Sequence, residues 1–164
     1  MTLIPYAKAT TTIGFFPFAQ NTRFIEETII AGGQPTDYRL LAAIGVDLVV
    51  NLTDESDEEE CKAAGIENLQ VPVGELHPIH LDAMKDLIWK VRAAWKAGKK
   101  IYVHCKWGSD RTGYFVAAWR KWVDGWDMDV IRMEFAMFVN PQKLFRSELW
   151  FGIADRIDSL EKEE

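Results

Sequence analysis

Ile101-Tyr102-Val103-His104-Cys105-Lys106-Trp107-Gly108-Ser109-Asp110-Arg111-Thr112-Gly113 sets a strand, a tight loop and a helix start in immediate succession. Lys100 to His104 is an apolar run of strand length. Cys105 to Arg111 is a compact loop, and a helix is expected from Thr112 to about Val123, with Phe115, Ala118, Trp119 and Trp122 on one side. A loop that curls from a strand end to a helix start aims its backbone N–H groups at one point, and the helix terminus adds partial positive charge there. Gly108 lets such a loop bend with no side chain against the ligand. Arg111 carries a planar fork that suits two oxygens of one anion. In that field Cys105 is expected to ionise more readily than a free cysteine and to serve as a nucleophile. Thr112 can donate a proton to the sulfur or to a departing group. The expected anion site is therefore Lys106, Trp107, Gly108, Ser109, Asp110 and Arg111, supported by His104 and Thr112. His104 is expected to orient the loop by hydrogen bonding rather than to move protons. Lys106 reads either as a recruiter of polyanions or as a solvated rim lysine, and Trp107 as a pocket wall or as packing under the loop.

Working outward, apolar runs alternate with helical patterns. Phe24 to Ala31 reads as a strand ending at Gly32-Gly33, and Pro35 to Ala43 as a short helix stopped at Gly45. Val46 to Leu52 is a strand, Asp54 to Ala64 an acidic helix closed by Gly65, and Ile66 to Val73 another strand. Gly74 to His80 is a loop. Asp82 is expected to cap a helix carrying Met84, Leu87, Ile88, Val91 and Trp95 at helical spacing. Helical segments near Met128–Phe138 and Lys143–Leu160 follow. Residues 1–23 read as an N-terminal extension, with an edge strand near Ile13 to Phe18. The pattern predicts one α/β domain over 1–164, a central, mostly parallel sheet of four to five strands flanked by helices.

Composition narrows the function. The chain has 164 residues, 48% hydrophobic and 27% charged, with twenty aromatics, so a packed core is expected. Net charge is −6, which disfavours nucleic acid and anionic membranes as partners. The six carboxylates between Asp54 and Glu60 account for all of it, so a local anion site is still allowed. That run reads as a solvated helix face. Two cysteines are too few for a disulfide framework and point to a reducing, cytoplasmic setting, or a periplasmic or secreted one had a signal been removed. Cys61 reads as a small buried hydrophobe, although it could resolve an oxidised Cys105 if the two lay close. Trp89, Trp95, Trp119 and Trp122 read as core. The apolar stretch Ile13 to Phe18 is too short to span a membrane. His77 and His80 lack a third ligand nearby, so neither metal nor other cofactor is expected.

The stretch from His104 to Gly113 resembles the signature loop of the Cys-x5-Arg protein tyrosine and dual-specificity phosphatases. Gly33-Gln34-Pro35 and the run from Gly45 to Leu52 are similar to segments of the small bacterial and fungal-type members, and the resemblance spans residues 24–140. It implies a phosphomonoester hydrolase in which Cys105 forms a phosphocysteine, an acid protonates the leaving oxygen, and water releases phosphate without a metal. Two carboxyls compete as the acid. Matching helix starts puts Glu75 at the family's usual position, whereas Asp110, just before the arginine, resembles the loop of myotubularin-type lipid phosphatases and is preferred; His77 and Asp54 are further alternatives. Phosphorylated proteins (on Tyr or Ser/Thr) are the expected substrates, with inositol phosphates or phosphoinositides as the alternative. An RNA 5′-triphosphatase is disfavoured by the charge balance, and a sulfurtransferase by the Arg111-Thr112-Gly113 ending. A binding module that holds phosphorylated partners without turnover is the non-catalytic alternative.

Overall fold

A computed structural model describes residues 19–73 and 81–138. Its centre is a five-stranded sheet built from β1 (Arg23–Glu26), β2 (Ile29–Gly32), β3 (Leu48–Asn51), β4 (Glu67–Gln70) and β5 (Ile101–His104). The strand order is β1-β2-β5-β3-β4; β1 pairs antiparallel with β2 and every other pairing is parallel. The last strand in sequence therefore occupies the middle. β2, β3 and β5 are buried throughout, as expected of central parallel strands covered on both faces.

Helices α1 (Tyr38–Ala43), α2 (Glu58–Ala64), α3 (Leu81–Lys96), α4 (Asp110–Trp119) and α5 (Met128–Phe138) complete the order. Strand alternation divides the apolar side chains into two cores. Ile29, Ala31, Leu48, Val50, Ile101 and Val103 face α3, α4 and α5, where Met84, Leu87, Phe115, Trp119 and Trp122 meet them. Ile30, Val49 and Tyr102 face the smaller layer of α1 and α2, with Leu41 and Cys61. Trp119 and Trp122 are fully buried, while Trp89 and Trp95 are half-buried and pack against the larger core.

Several boundaries differ from the sequence expectation. The run from Phe24 to Ala31 is a hairpin rather than one strand: Glu27 and Thr28 form the turn, and the register slips between Phe24 and Glu26. Two residues oppose one at that bulge, so Ile25 and Glu26 both reach the larger core, Ile25 by packing and Glu26 by accepting from Trp119 Nε1 at 3.0 Å. α1 starts at Tyr38, where Asp37 accepts from the Arg39 N–H. α2 starts at Glu58 instead of Asp54, with Glu58, Glu59 and Glu60 in its first turn and Gly65 left-handed after it. α3 includes Leu81, so Asp82 lies inside the helix and is not its cap. α4 begins two residues before Thr112 and passes into a π-helical turn, Arg120–Asp124. The strand expected near 13–18 and the helix expected at 143–160 lie outside the described residues.

The π turn places Arg120 where one guanidinium serves three elements. Nε and Nη2 grip both oxygens of Glu134 in α5 at 3.0 and 3.1 Å, and Nη1 donates to Asp124 and to the Ile25 carbonyl in the bulge. The Trp126 ring covers it at 4.2 Å. Removing one side of such a buried set leaves the opposite charges uncompensated, which costs about 3–5 kcal/mol. Arg120→Ala is expected to lose that much in urea unfolding.

Candidate active site

The register aligns Gly32, His104 and Asn51 across three neighbouring strands at the carboxyl edge of the sheet, the edge where parallel sheets bind ligands. Cys105 is the first residue beyond the middle strand, and the chain turns through Gly108 (φ +76°) into α4.

The orientation of this loop is set from outside it. The carbonyl of Lys106 accepts from the Gln34 N–H at 3.0 Å, that of Trp107 from Asn21 Nδ2 at 2.8 Å, and that of Gly108 from Arg23 Nη1. In a trans peptide the C=O and the next N–H point in opposite directions. Three consecutive carbonyls held outward therefore turn the N–H groups of Trp107, Gly108 and Ser109 inward, toward the concave side of the loop. The Gly108 N–H reaches Cys105 Sγ at 3.2 Å. Thr112 Oγ1 lies 3.0 Å from the same sulfur and 3.1 Å from the Gly32 carbonyl; its single proton serves one of them at a time, and a sulfur anion is the stronger attractor.

The loop packs backbone to backbone on Gly32-Gly33. A Cβ on Gly108 would fall 2.5 Å from Gly32 C and Gly33 N, and one on Gly33 would meet Trp107 C at 3.2 Å. Tyr102 closes this contact by donating to the Gly33 carbonyl at 2.6 Å.

On the other side, His104 fixes the start of the loop. Its Nδ1 is 3.1 Å from the Cys105 carbonyl and its Nε2 is 2.7 Å from Asp57 Oδ2. Both partners are acceptors, so each contact is made by whichever ring nitrogen carries a proton. Asp57 is a correction to the reading of Asp54–Glu60 as a solvated face. The other five carboxylates are exposed, but Asp57 is 3% exposed and accepts from His104, Tyr38, Asn51 and Asn68 at 2.6–3.0 Å. Burial alone would push its carboxyl up; the hydrogen bonds from His104, Tyr38 and Asn51 overcome that and hold it at about 2.

Of the predicted site residues, Cys105, Ser109 and Thr112 are buried at the base of the loop and Arg111 is half-buried in the first turn of α4. Asp110 is beside it, 7% exposed. Lys106 and Trp107 form the outer rim: Trp107 is 42% exposed, and Lys106 Nζ lies 5.3 Å from the centre of its ring. Glu75 and His77 lie outside the described residues; Asp54 is exposed. Cys61 is buried among the α1–α2 layer, across the sheet from Cys105, and burial pushes its thiol up to about 12. Among the described residues no three His, Cys, Asp or Glu side chains gather as a metal site, and no helix is long and apolar enough to cross a membrane. Asn21, Arg23, Asp57 and Asn51 escaped the sequence reading, because each reaches the loop, directly or through His104, across a tertiary contact.

A mostly parallel sheet with this cysteine-to-arginine loop at the end of its middle strand is the architecture of cysteine-based dual-specificity phosphatases. The family model described as "Polymorphic toxin system, DSP-PTPase phosphatase" (Tc-R-P) matches residues 28–124, more than half of the chain, and the chain belongs to that family, a protein tyrosine/dual-specificity phosphatase-like hydrolase. No curated protein matches it. Among solved structures it is similar to TpbA of P. aeruginosa in complex with pTyr (24% identity, 70% of this chain and 71% of that one, TM-score 0.63). It is also similar to the core catalytic domain of the PP-IP phosphatase SIW14 from S. cerevisiae (19%, 89% and 88%, TM-score 0.72) and to Tk-PTP in its active form (22%, 87% and 99%, TM-score 0.68). At these identities the likeness is one of fold.

Two outcomes are expected of this geometry. Gly108→Ala forces a Cβ into backbone and a strained φ worth about 1–3 kcal/mol, and should weaken tungstate binding at least about tenfold in isothermal titration. Asp57→Asn should destabilise the protein by about 2 kcal/mol at pH 7. Because the native carboxyl titrates below its unfolded value, the difference is complete above about pH 4 and vanishes toward pH 2, as urea midpoints across that range will read.

Proposed function

We propose that the protein is a phosphomonoester hydrolase that works through a phosphocysteine on Cys105, with phosphorylated proteins as substrates. The observation that carries this is the position of Cys105 Sγ, 3.2 Å from the Gly108 N–H and 3.0 Å from the Thr112 hydroxyl, in a loop whose carbonyls at Lys106, Trp107 and Gly108 are bonded to donors outside it. Those donors favour a sulfur anion and then the equatorial oxygens of a phosphoryl group. The thiolate attacks phosphorus, an S–P bond forms as the P–O bond to the leaving group breaks, and a carboxyl gives that oxygen its proton. Water next attacks phosphorus; the S–P bond breaks, and inorganic phosphate and thiolate are released. Arg111 spans two of the phosphoryl oxygens. Asp110, the one carboxyl on the loop segment itself, is assigned as proton donor. With only two cysteines in the sequence, we place the protein in a reducing, cytoplasmic setting.

Exposed Lys106 at the rim and the likeness to the PP-IP phosphatase SIW14 favour a second substrate class, inositol phosphates, for which a rim cation would bind an additional phosphate. The exposed Trp107 face and the likeness to TpbA with pTyr support the phosphoprotein reading, through ring stacking.

With para-nitrophenyl phosphate, Cys105→Ser is expected to reduce phosphate release to background and Arg111→Lys to lower kcat/KM by about 10²–10³-fold. Cys105-independent turnover would overturn the mechanism. Asp110→Asn should cost about 10²-fold or more in kcat with phosphoserine peptide and far less with the nitrophenyl ester, whose leaving group needs no proton. The same pattern for Glu75→Gln, with Asp110→Asn silent, would move the acid to Glu75. A panel of phosphopeptides and soluble inositol phosphates ranks the two substrate classes by kcat/KM.

A further inference from the structure

We propose that Arg23, on the edge strand and 85 residues before Gly108, is a positioning residue for the anion cradle. From beneath, it holds the Gly108 carbonyl outward and keeps a fixed positive charge behind Cys105. The inference rests on the reading of Cys105 as the reacting thiolate.

Arg23 is 1% exposed, among the largest fully buried side chains. Its Nη1 donates to the Asn21 carbonyl at 2.8 Å and to the Gly108 carbonyl at 2.6 Å, and its guanidinium lies 3.9 Å from the centre of the Phe138 ring. A small recess between α4 and α5 opens on it, walled by Gly113, Val116, Glu134 and Phe135.

A buried cation is costly unless something uses it. Burial draws the Arg23 pKa down to about 10, against the attraction of Glu134, Cys105 and Tyr102 and with the repulsion of Arg120. Glu134 supplies the largest of these attractions, yet the hydrogen bonds of Arg23 go to carbonyls and not to that carboxylate, which Arg120 grips. The remaining acceptors are carbonyls of the loop and of the segment beside it. The Gly108 carbonyl belongs to the peptide whose N–H is that of Ser109, so the Arg23 bond decides whether that N–H faces the anion. The same guanidinium is attracted to the Cys105 sulfur, adding to the inward donors a charge that never leaves with the substrate. The charged and titratable groups around this pair are Glu134 from α5, Arg120 from the π turn, Tyr102 and His104 from β5, and Lys106, Asp110 and Arg111 from the loop and α4.

The test compares Arg23→Met, Arg23→Gln and Arg23→Lys in the whole chain, each scaled to its folded fraction from urea unfolding. Three quantities are read: competitive inhibition by tungstate, kcat and KM with para-nitrophenyl phosphate, and the pH profile of Cys105 alkylation by iodoacetamide. Arg23→Met is expected to weaken tungstate inhibition about tenfold or more and to move the alkylation profile toward higher pH. Arg23→Lys should restore most of the alkylation profile through its charge, and Arg23→Gln part of the tungstate affinity through its donor. Should Arg23→Met not fold, the Gln and Lys variants carry the comparison, because each retains one of the two contributions. Folded variants with wild-type inhibition and alkylation would overturn the inference and leave Arg23 a packing residue. If instead Cys105→Ser were as active as wild type, the underlying reading would fail, whatever Arg23 does.

Discussion

A peptide plane cannot offer its N–H and its C=O to the same side, and the site is built on that constraint. An anion cradle needs several N–H groups aimed inward, so an equal number of carbonyls must point away and find donors in the protein. Here the donors come from the segment between Asn21 and Gln34: a side-chain amide, a guanidinium and a backbone N–H, one for each of three successive carbonyls. The hairpin of β1 and β2 is thus more than the edge of a sheet. It is the mould in which the loop takes its shape, and Gly32-Gly33 bring it close enough for backbone to rest on backbone.

The opposite flank is held by charge. His104 spans the Cys105 carbonyl and Asp57, and Asp57 is itself seated by Tyr38 from α1, Asn51 from β3 and Asn68 from β4. Asn51 also shapes the turn that delivers Asp57, accepting from the Thr53 N–H and hydroxyl and donating to the Glu55 carbonyl. With both oxygens of Asp57 accepting from these donors, a carboxylate can stay ionised under the sheet edge at a tolerable desolvation cost. Because β5 is the middle strand, forces from both helical layers converge on the residue that follows it.

How much of this was legible in the sequence depends on how local each signal is. The loop from His104 to Gly113 could be read directly, because spacing, glycine and helix start lie within one short segment. The parallel sheet followed from apolar runs alternating with helical patterns. The hairpin was missed because Glu27-Thr28 is not among the strong two-residue turn signals, and β-branched residues run on both sides of it. Asp57 was hidden in a run of carboxylates whose other members are solvated; nothing in composition separates the one that turns inward. Arg23 and Asn21 lie 85 and 86 residues from their loop partners, and it is the pairing of β1 with β2 and of β2 with β5 that brings them there. Local chemistry was visible; the partners that orient it were tertiary.

The sheet that parts the two cysteines also settles how this chain meets an oxidant. A sulfenic acid formed at Cys105 has no neighbouring thiol to condense with, since Cys61 sits in the other layer and the sequence holds no third cysteine. Its reversible exits are a ring closed with a backbone nitrogen or a mixed disulfide with a small thiol from solution. Recovery after peroxide is thereby handed to the surrounding thiol pool, rather than to a repair partner within the fold.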